Sequence, residues 1–239
     1  MRLLIAAFGF LAILVPAAHA QSRVELFEEF DARRLSEPEK RFLQMALAFE
    51  GYYSGLLDGA WGKGSQAALE RYAAHLEING KVPNWMPAVL AATTADVMQL
   101  EGWEQTYFEP LDVSFLLPSA FLAKGAPSDN FVNLEHTRSS LGYSLARGGA
   151  DQVVNLHAFA AAKARQGAEP YLVRRENLWV TSAIGADGVT LYVRSEFRKG
   201  AWSTVMLSAA LADAGILAAV SGSIAGGRSE DIYLPAGLL

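Results

Sequence analysis

The stretch of sequence that decides the N-terminal fold is Gly51-Tyr52-Tyr53-Ser54-Gly55-Leu56-Leu57-Asp58-Gly59-Ala60-Trp61-Gly62. Its four glycines permit tight backbone turns, because a residue without Cβ tolerates conformations that strain other residues. The short carboxylate of Asp58 can accept backbone N–H bonds within such a turn. The stretch therefore predicts a compact, tightly turned loop.

Helix signals lie on both sides of this loop. Before it, Ser36-Glu37-Pro38-Glu39 has the form of a capping box, followed by apolar residues at intervals of three and four. After it, Ser65 is the predicted N-cap of a second helix, and a third helix is predicted from Trp85 to about Leu100. Residues 24–109 thus read as helices and turns.

The sequence changes character at Glu109-Pro110-Leu111, where proline disfavours helix. Beyond this join, helices are predicted over Asp151–Gln166 and from about Ala209 to Val220. The Gly/Ser-rich residues Ser221–Asp231 predict a flexible segment before a short apolar tail. Strands are predicted at 113–117, 131–136, 141–145, 171–183, 189–197 and 202–207.

Two short turns predict antiparallel hairpins among these strands. Asp187-Gly188 is a strong hairpin signal, because turn residues with positive φ favour glycine and aspartate. Lys199-Gly200 predicts a second tight return. The predicted fold class is α plus α+β: a small three-helix domain followed by an antiparallel-sheet α/β sandwich.

The first twenty residues predict export. Arg2 precedes the apolar run Leu3–Val15, and Ala18-His19-Ala20 has the form of a signal-peptide cleavage site. The run is shorter than the roughly 20 residues that cross a bilayer, so no stable membrane insertion is expected after cleavage; a retained N-terminal anchor is the alternative. The predicted organisation is a signal peptide over 1–20, a helical domain over 21–109, a sandwich domain over 110–224 and a tail over 225–239.

Composition excludes several classes of function. The 239-residue chain has a net charge of −5, and because residues 1–20 carry one charged side chain, Arg2, the remaining chain has 19 Lys and Arg against 25 Asp and Glu, a net charge of −6. This charge lacks the basic footprint of a nucleic-acid-binding protein. The absence of cysteine excludes disulfides, thiolate metal sites and lipoprotein acylation. A periplasmic protein is expected.

The N-terminal motif resembles a known family over residues 35–75. Leu43-Gln44, the glycine-rich loop and Ser65-Gln66-Ala67-Ala68-Leu69 are similar to the helix, loop and helix of the peptidoglycan-binding-like domain. The sequence departs from the family pattern at Gly64, where lysine or arginine is usual, and at Tyr72-Ala73, where Phe-Gln is common. The resemblance implies a noncatalytic three-helix module, often attached to cell-wall enzymes.

Four residues of the loop are the candidate peptidoglycan-binding residues: Tyr52, Tyr53, Asp58 and Trp61. Aromatic side chains bury much area and keep a hydrogen-bonding tip, which suits contact with a sugar ring or a peptide stem. Two interpretations of Trp61 remain open, since the family usually places a core phenylalanine at this position and an indole can also stack on sugars. Of the adjacent tyrosines, one is expected to point inward and one outward.

The second part resembles, more loosely, the PsbP-like fold over residues 111–224. Val113-Ser114-Phe115-Leu116-Leu117-Pro118-Ser119 resembles that family's opening strand, and residues 188–194 with 202–207 resemble its central hairpin. The fold implied is an α/β/α sandwich on an antiparallel sheet. Its members are chiefly noncatalytic, so the resemblance implies a role in partner binding or assembly.

The sequence contains few candidate catalytic residues. Beyond the predicted leader the histidines are His75, His136 and His157, and no two of them have metal-ligand spacing. Glu101 and Glu104 are expected on one helix face beside Trp103, where a solvated surface is the simpler interpretation. No catalytic residue, metal site or cofactor is predicted.

The expected function is therefore binding of peptidoglycan by the N-terminal module, with the second domain engaging a periplasmic protein partner or an assembly. One alternative is a cell-wall hydrolase or peptidase whose site lies unrecognised in the C-terminal domain. Another is an N-terminal module that has lost ligand binding and serves only as a structural helper.

Overall fold

The computed structural model describes residues 26–234, which fold as a mixed α+β structure with two antiparallel sheets. The predicted signal peptide over 1–20 lies outside these residues. The α-helices are α1 Glu37–Phe49, α2 Lys63–His75, α3 Trp85–Glu101, α4 Ala150–Ala162 and α5 Ala214–Ser223. The β-strands are β1 Trp103–Phe108, β2 Val113–Pro118, β3 Leu122–Lys124, β4 Val132–His136, β5 Gly142–Gly148, β6 Tyr171–Arg175, β7 Leu178–Ile184, β8 Val189–Arg198, β9 Ala201–Ala210 and β10 Ala225–Gly226.

Helix α1 begins as the sequence predicts. The hydroxyl of Ser36 accepts a bond from the backbone N–H of Glu39 at 3.5 Å, and the Glu39 carboxylate accepts one from the backbone N–H of Ser36 at 2.6 Å. The predicted capping box is thus confirmed. After the helix, Gly51 has a φ of 78°, the left-handed conformation that glycine adopts without strain. The predicted third helix is confirmed as α3.

Helix α2 begins earlier than predicted. Its N-cap is Gly62 and its first residue is Lys63. Ser65 lies buried in the first turn, where its hydroxyl accepts a hydrogen bond from Gln44 Nε2 at 3.1 Å. The prediction of Ser65 as N-cap was wrong because its hydroxyl bonds to helix α1 instead of to its own helix terminus.

The helical part ends at Glu101, since the residues that follow form a β-hairpin. Strand β1 pairs with β2, and Glu109–Leu111 is the short turn between them. The prediction that residues 24–109 contain only helices and turns was therefore wrong, and the predicted join lies inside a hairpin. Trp103 and Gln105 are buried while Glu104 is exposed, which is the alternation of a half-buried strand.

The larger sheet has seven strands in the order β3-β4-β5-β9-β8-β7-β6, and every neighbouring pair is antiparallel. Both predicted hairpins are confirmed. Lys199 and Gly200 have φ values of 48° and 79° and form the two-residue turn between β8 and β9. Gly188, with a φ of 76°, closes the longer loop between β7 and β8. The single strand predicted over 171–183 is instead two strands, β6 and β7.

One hydrophobic core joins the helical part to the larger sheet. Helix α4 lies on one face of that sheet against β7 and β8, and side chains of β5 and β9 on the opposite face pack toward α1 and α5. A Cβ on Gly215 would collide with the carbonyl oxygens of Ala48 and Phe49, so α1 and α5 approach very closely. Fully buried members of this core include Phe42, Leu43, Phe115, Tyr143 and Leu207.

The C-terminal segment is ordered by specific contacts. Strand β10 pairs with β2, and Ser229 accepts a hydrogen bond from Gln105 Nε2 at 2.9 Å. Ile232 is buried against the core. The prediction of a flexible segment over Ser221–Asp231 was wrong, because serine hydroxyls and glycines here bond to and pack against β1 and β2. The last five residues of the predicted tail, 235–239, lie outside the described part.

Candidate functional site

The loop between α1 and α2 is built around one buried side chain, Gln44. Its Oε1 accepts the backbone N–H of Gly59 at 2.8 Å, and its Nε2 donates to the carbonyl of Ala60 at 3.0 Å and to Ser65 Oγ at 3.1 Å. The side chain has no solvent exposure. Gln44 thus fixes the loop from beneath. The motif contains Gln44 but predicts no role for it; the sequence signal for a buried role is a glutamine flanked by the apolar residues Phe42-Leu43 and Met45.

Asp58 holds the turn in the way the sequence predicts. Its Oδ1 accepts the backbone N–H of Ala60 at 2.9 Å, while the residue itself is exposed. The next residue, Gly59, has a φ of 73°, and a Cβ there would lie 2.6 Å from the carbonyl oxygen of Glu37. The carboxylate and the glycine are therefore both required by the turn itself.

The two tyrosines are both half-buried, so the expected split into one inward and one outward ring is not observed. Tyr53 lies beneath the loop and donates its hydroxyl to the carbonyl of Leu56 at 2.9 Å, and burial raises the pKa of its phenol. Tyr52 packs edge-on against Tyr72, with ring centroids 5.4 Å apart. Its carbonyl accepts a bond from Arg71 at 2.7 Å.

The other flank of the loop is covered by the C-terminal part of the chain. The backbone N–H of Leu57 donates to the carbonyl of Gly222 in α5 at 3.0 Å, and Leu57 is buried. A Cβ on Gly222 would lie 2.6 Å from the carbonyl oxygen of Gly55. Arg41 in turn donates to the carbonyl of Leu57 at 3.0 Å. This half of the glycine-rich motif is consequently an internal contact and is closed to ligand.

Trp61 lies on the flank that remains open. Its indole N–H donates to Gln66 Oε1 at 3.1 Å, and its ring meets Phe30 edge-on with centroids 5.6 Å apart. The indole is half-buried and forms one wall of an open groove of about 690 Å³. Residues 30–33 also line the groove, and its remaining lining is Lys40, Gly62, Lys63, Gln66, Ala67 and Glu70.

The structure does not gather the four candidate residues into one site. Of the four, only Trp61 lines the groove. Tyr52 lies near the C-terminal end of α2, next to His75, whereas Trp61 lies at the N-terminal end of the same helix. Tyr53 and Asp58 bond within the loop. The groove, rather than the glycine-rich loop, is therefore the candidate site.

A serine–histidine contact lies elsewhere, beneath α4. His157 Nε2 is 3.0 Å from Ser195 Oγ, and His157 Nδ1 is 2.7 Å from Thr181 Oγ1. All three residues are at most 1% exposed, and burial lowers the pKa of His157 to about 4, assisted by the nearby positive charge of Arg174. A substrate has no access to this serine, so the contact satisfies polar groups inside the core.

The remaining candidates, Glu101, Glu104 and His136, do not come together in a catalytic or metal site. Glu101 accepts the indole N–H of Trp103 at 2.8 Å and lies 3.7 Å from His136 Nε2, whose pKa is lowered by burial. Glu104 lies in β1, so the prediction that Glu101 and Glu104 share a helix face was wrong. Between residues 26 and 234, no group of three or more His, Asp or Glu side chains could hold a metal ion.

Comparison with known proteins gives no further guide. No protein-family model matches the chain, and no curated protein is significantly similar to it. Within the described part, no helix has the length and apolar character needed to cross a membrane.

Proposed function

We propose that this chain is a noncatalytic periplasmic protein that binds peptidoglycan through its N-terminal part. The observation that supports this function most is the open groove of about 690 Å³ beside Trp61. An indole in the wall of a groove gives a sugar ring or a peptide stem an apolar surface, and polar side chains around it can orient the ligand.

The proposal includes a fold assignment for each part. Helices α1 to α3, with the loop around Gln44, are assigned to a peptidoglycan-binding-like module. The seven-stranded sheet and the helices near it are assigned to a PsbP-like sandwich, which we propose binds a periplasmic protein partner or scaffolds an assembly. The order helix, glycine-rich loop, helix and the antiparallel sheet with α4 on one face support these assignments.

Export to the periplasm is part of the same proposal. It rests on Leu3–Val15 and on the cleavage motif Ala18-His19-Ala20. Mass spectrometry of the protein recovered from a periplasmic extract is expected to give a mature chain that begins at Gln21. A full-length chain in the membrane fraction would instead support a retained anchor.

Sedimentation with purified sacculi tests wall binding. The mature protein is expected to pellet with sacculi, and Trp61→Ala is expected to weaken binding several-fold. Trp202→Ala is the matched control, since Trp202 is also partly buried but lies on β9, packs against Trp179 and Phe197 and does not line the groove. Circular dichroism of both variants checks that they are folded. Wild-type protein that stays in the supernatant at low and moderate salt would contradict the proposal.

Point variants are preferable to domain deletion in these experiments. Helices α1 and α5 share one core and approach closely at Gly215. Deleting the helical part would expose that core and confuse loss of binding with loss of folding. Affinity capture of a periplasmic partner should therefore use the whole mature chain.

A further inference from the structure

The groove beside Trp61 has two lysines on its rim, one from each neighbouring helix. Lys40 lies in the first turn of α1 and Lys63 is the first residue of α2. Within residues 26–234, neither ammonium group makes an ion pair. Both positive charges are therefore available to a ligand.

The acidic side chains of the groove already have partners. Asp31 accepts a bidentate bond from Arg33 at 2.7–3.0 Å, which neutralises that pair, and the same contact lowers the pKa of Asp31 to about 2. Glu70 accepts a bond from Gln66 at 3.0 Å and is the remaining negative charge. With Lys40 and Lys63, the groove carries a net positive charge on a chain whose overall charge is −5.

We infer that the groove recognises a free carboxylate of the peptidoglycan peptide stem, an inference that rests on the proposed wall-binding function. Lys40 and Lys63 pair with the carboxylate, and Trp61 supplies the apolar wall against which the adjacent part of the stem lies. Ammonium groups recognise carboxylates by charge and by N–H donation. A neutral glycan or an amidated stem offers no such partner, so the charge of the stem decides which wall polymer is bound.

Isothermal titration calorimetry with two soluble probes tests the inference. One probe is a purified disaccharide–tetrapeptide muropeptide with free carboxylates, and the other is the same muropeptide with every carboxylate converted to carboxamide. The double variant Lys40→Gln/Lys63→Gln removes the two charges. The matched control Lys124→Gln/Lys163→Gln removes two lysines of β3 and the end of α4, away from the groove.

The free-acid muropeptide is expected to bind the wild-type protein about 5- to 10-fold more tightly than the amidated one, as two solvent-exposed ion pairs allow. This preference should shrink with added salt, since exposed charges are screened. It should vanish in Lys40→Gln/Lys63→Gln and persist in the control.

The outcomes separate this inference from the proposed function. Equal affinity for the two muropeptides, or a preference that survives in Lys40→Gln/Lys63→Gln, overturns carboxylate recognition while wall binding stands. Pelleting with sacculi without any binding of soluble muropeptide also overturns it, because the polymer is then recognised by another feature. Failure to pellet with sacculi, together with no muropeptide binding, overturns both.

Discussion

Replacing Gln44 by leucine is expected to destabilise the protein by about 1–3 kcal/mol. The variant keeps a similar side-chain volume but leaves the buried N–H of Gly59 without its acceptor. An unpaired buried backbone donor costs about 1–3 kcal/mol. The exposed residue Ala60 can turn its carbonyl to water. The buried hydroxyl of Ser65 also loses its bond from Gln44, at a cost of about 1 kcal/mol, and the extra apolar burial of leucine offsets a similar amount.

Urea unfolding followed by tryptophan fluorescence measures this effect. With an m-value of about 3 kcal/mol/M, the unfolding midpoint should fall by about 0.3–1 M. The matched control is Gln99→Leu, which makes the same substitution at an exposed position of helix α3 and should change stability by less than about 0.5 kcal/mol. Hydrogen exchange at Gly59 gives a local readout, because its amide loses a buried acceptor only in the Gln44 variant.

Two results together would refute this account of the loop. One is a Gln44→Leu midpoint equal to that of Gln99→Leu, and the other is unchanged exchange at Gly59. The loop would then hold its shape through its glycines and Asp58 alone, and the buried Gln44 side chain would not stabilise it.

Three further predictions concern the rest of the fold. Gly215→Ala should lower the free energy of unfolding by about 1–3 kcal/mol, because the added methyl group would collide with the backbone of α1. The control Gly64→Ala adds a methyl group in open space within helix α2, so it should leave the free energy of unfolding unchanged or raise it by up to about 1 kcal/mol, and thermal melts compare the two variants. Folding lowers the pKa of His157 from 6.5 to about 4, so between these pH values the unfolded chain binds a proton that the folded chain does not. The contribution of His157 to the free energy of unfolding is therefore full above about pH 6.5 and falls as the pH drops toward 4. Urea midpoints across this range should fall less in His157→Gln than in the wild type, and as much as in the wild type in the control His75→Gln, whose histidine is exposed. Asp112→Asn removes a carboxylate that is held by Lys199, Tyr107 and Arg198. It should speed hydrogen exchange at Gly227, whose N–H donates to the Asp112 carbonyl, and exchange as slow as in the wild type would show that this cluster does not hold the C-terminal segment.

Local signals in the sequence were sufficient where one residue and its near neighbours determine the geometry. The capping box at Ser36 and the two-residue turn at Lys199-Gly200 belong to this class, because each is completed by atoms within four residues. The features that the sequence did not predict depend instead on residues that are distant along the chain. Strands β1 and β10 both depend on pairing with β2, a partner that no local pattern identifies.

The candidate site was predicted only in part for the same reason. The sequence predicts a ligand site at Tyr52, Tyr53, Asp58 and Trp61, which are close together along the chain. In space the loop wraps around Gln44 and one flank is closed by α5, so proximity in sequence does not produce a shared surface. Phe30, which lines the groove and packs edge-on against Trp61, precedes Trp61 by 31 positions and carries no motif signal.

The distribution of polar partners favours the groove over the loop as the candidate ligand site. Within the loop, the carboxylate of Asp58, the hydroxyl of Tyr53 and the amide of Gln44 all bond to protein atoms, so a ligand there would have to displace internal hydrogen bonds. At the groove, Lys40 and Lys63 have no ion-pair partner in the described part of the chain, and one face of Trp61 borders open space. A ligand that pairs with these two lysines displaces no ion pair of theirs within the described residues, and the loop contributes by holding Trp61 and the start of α2 in place.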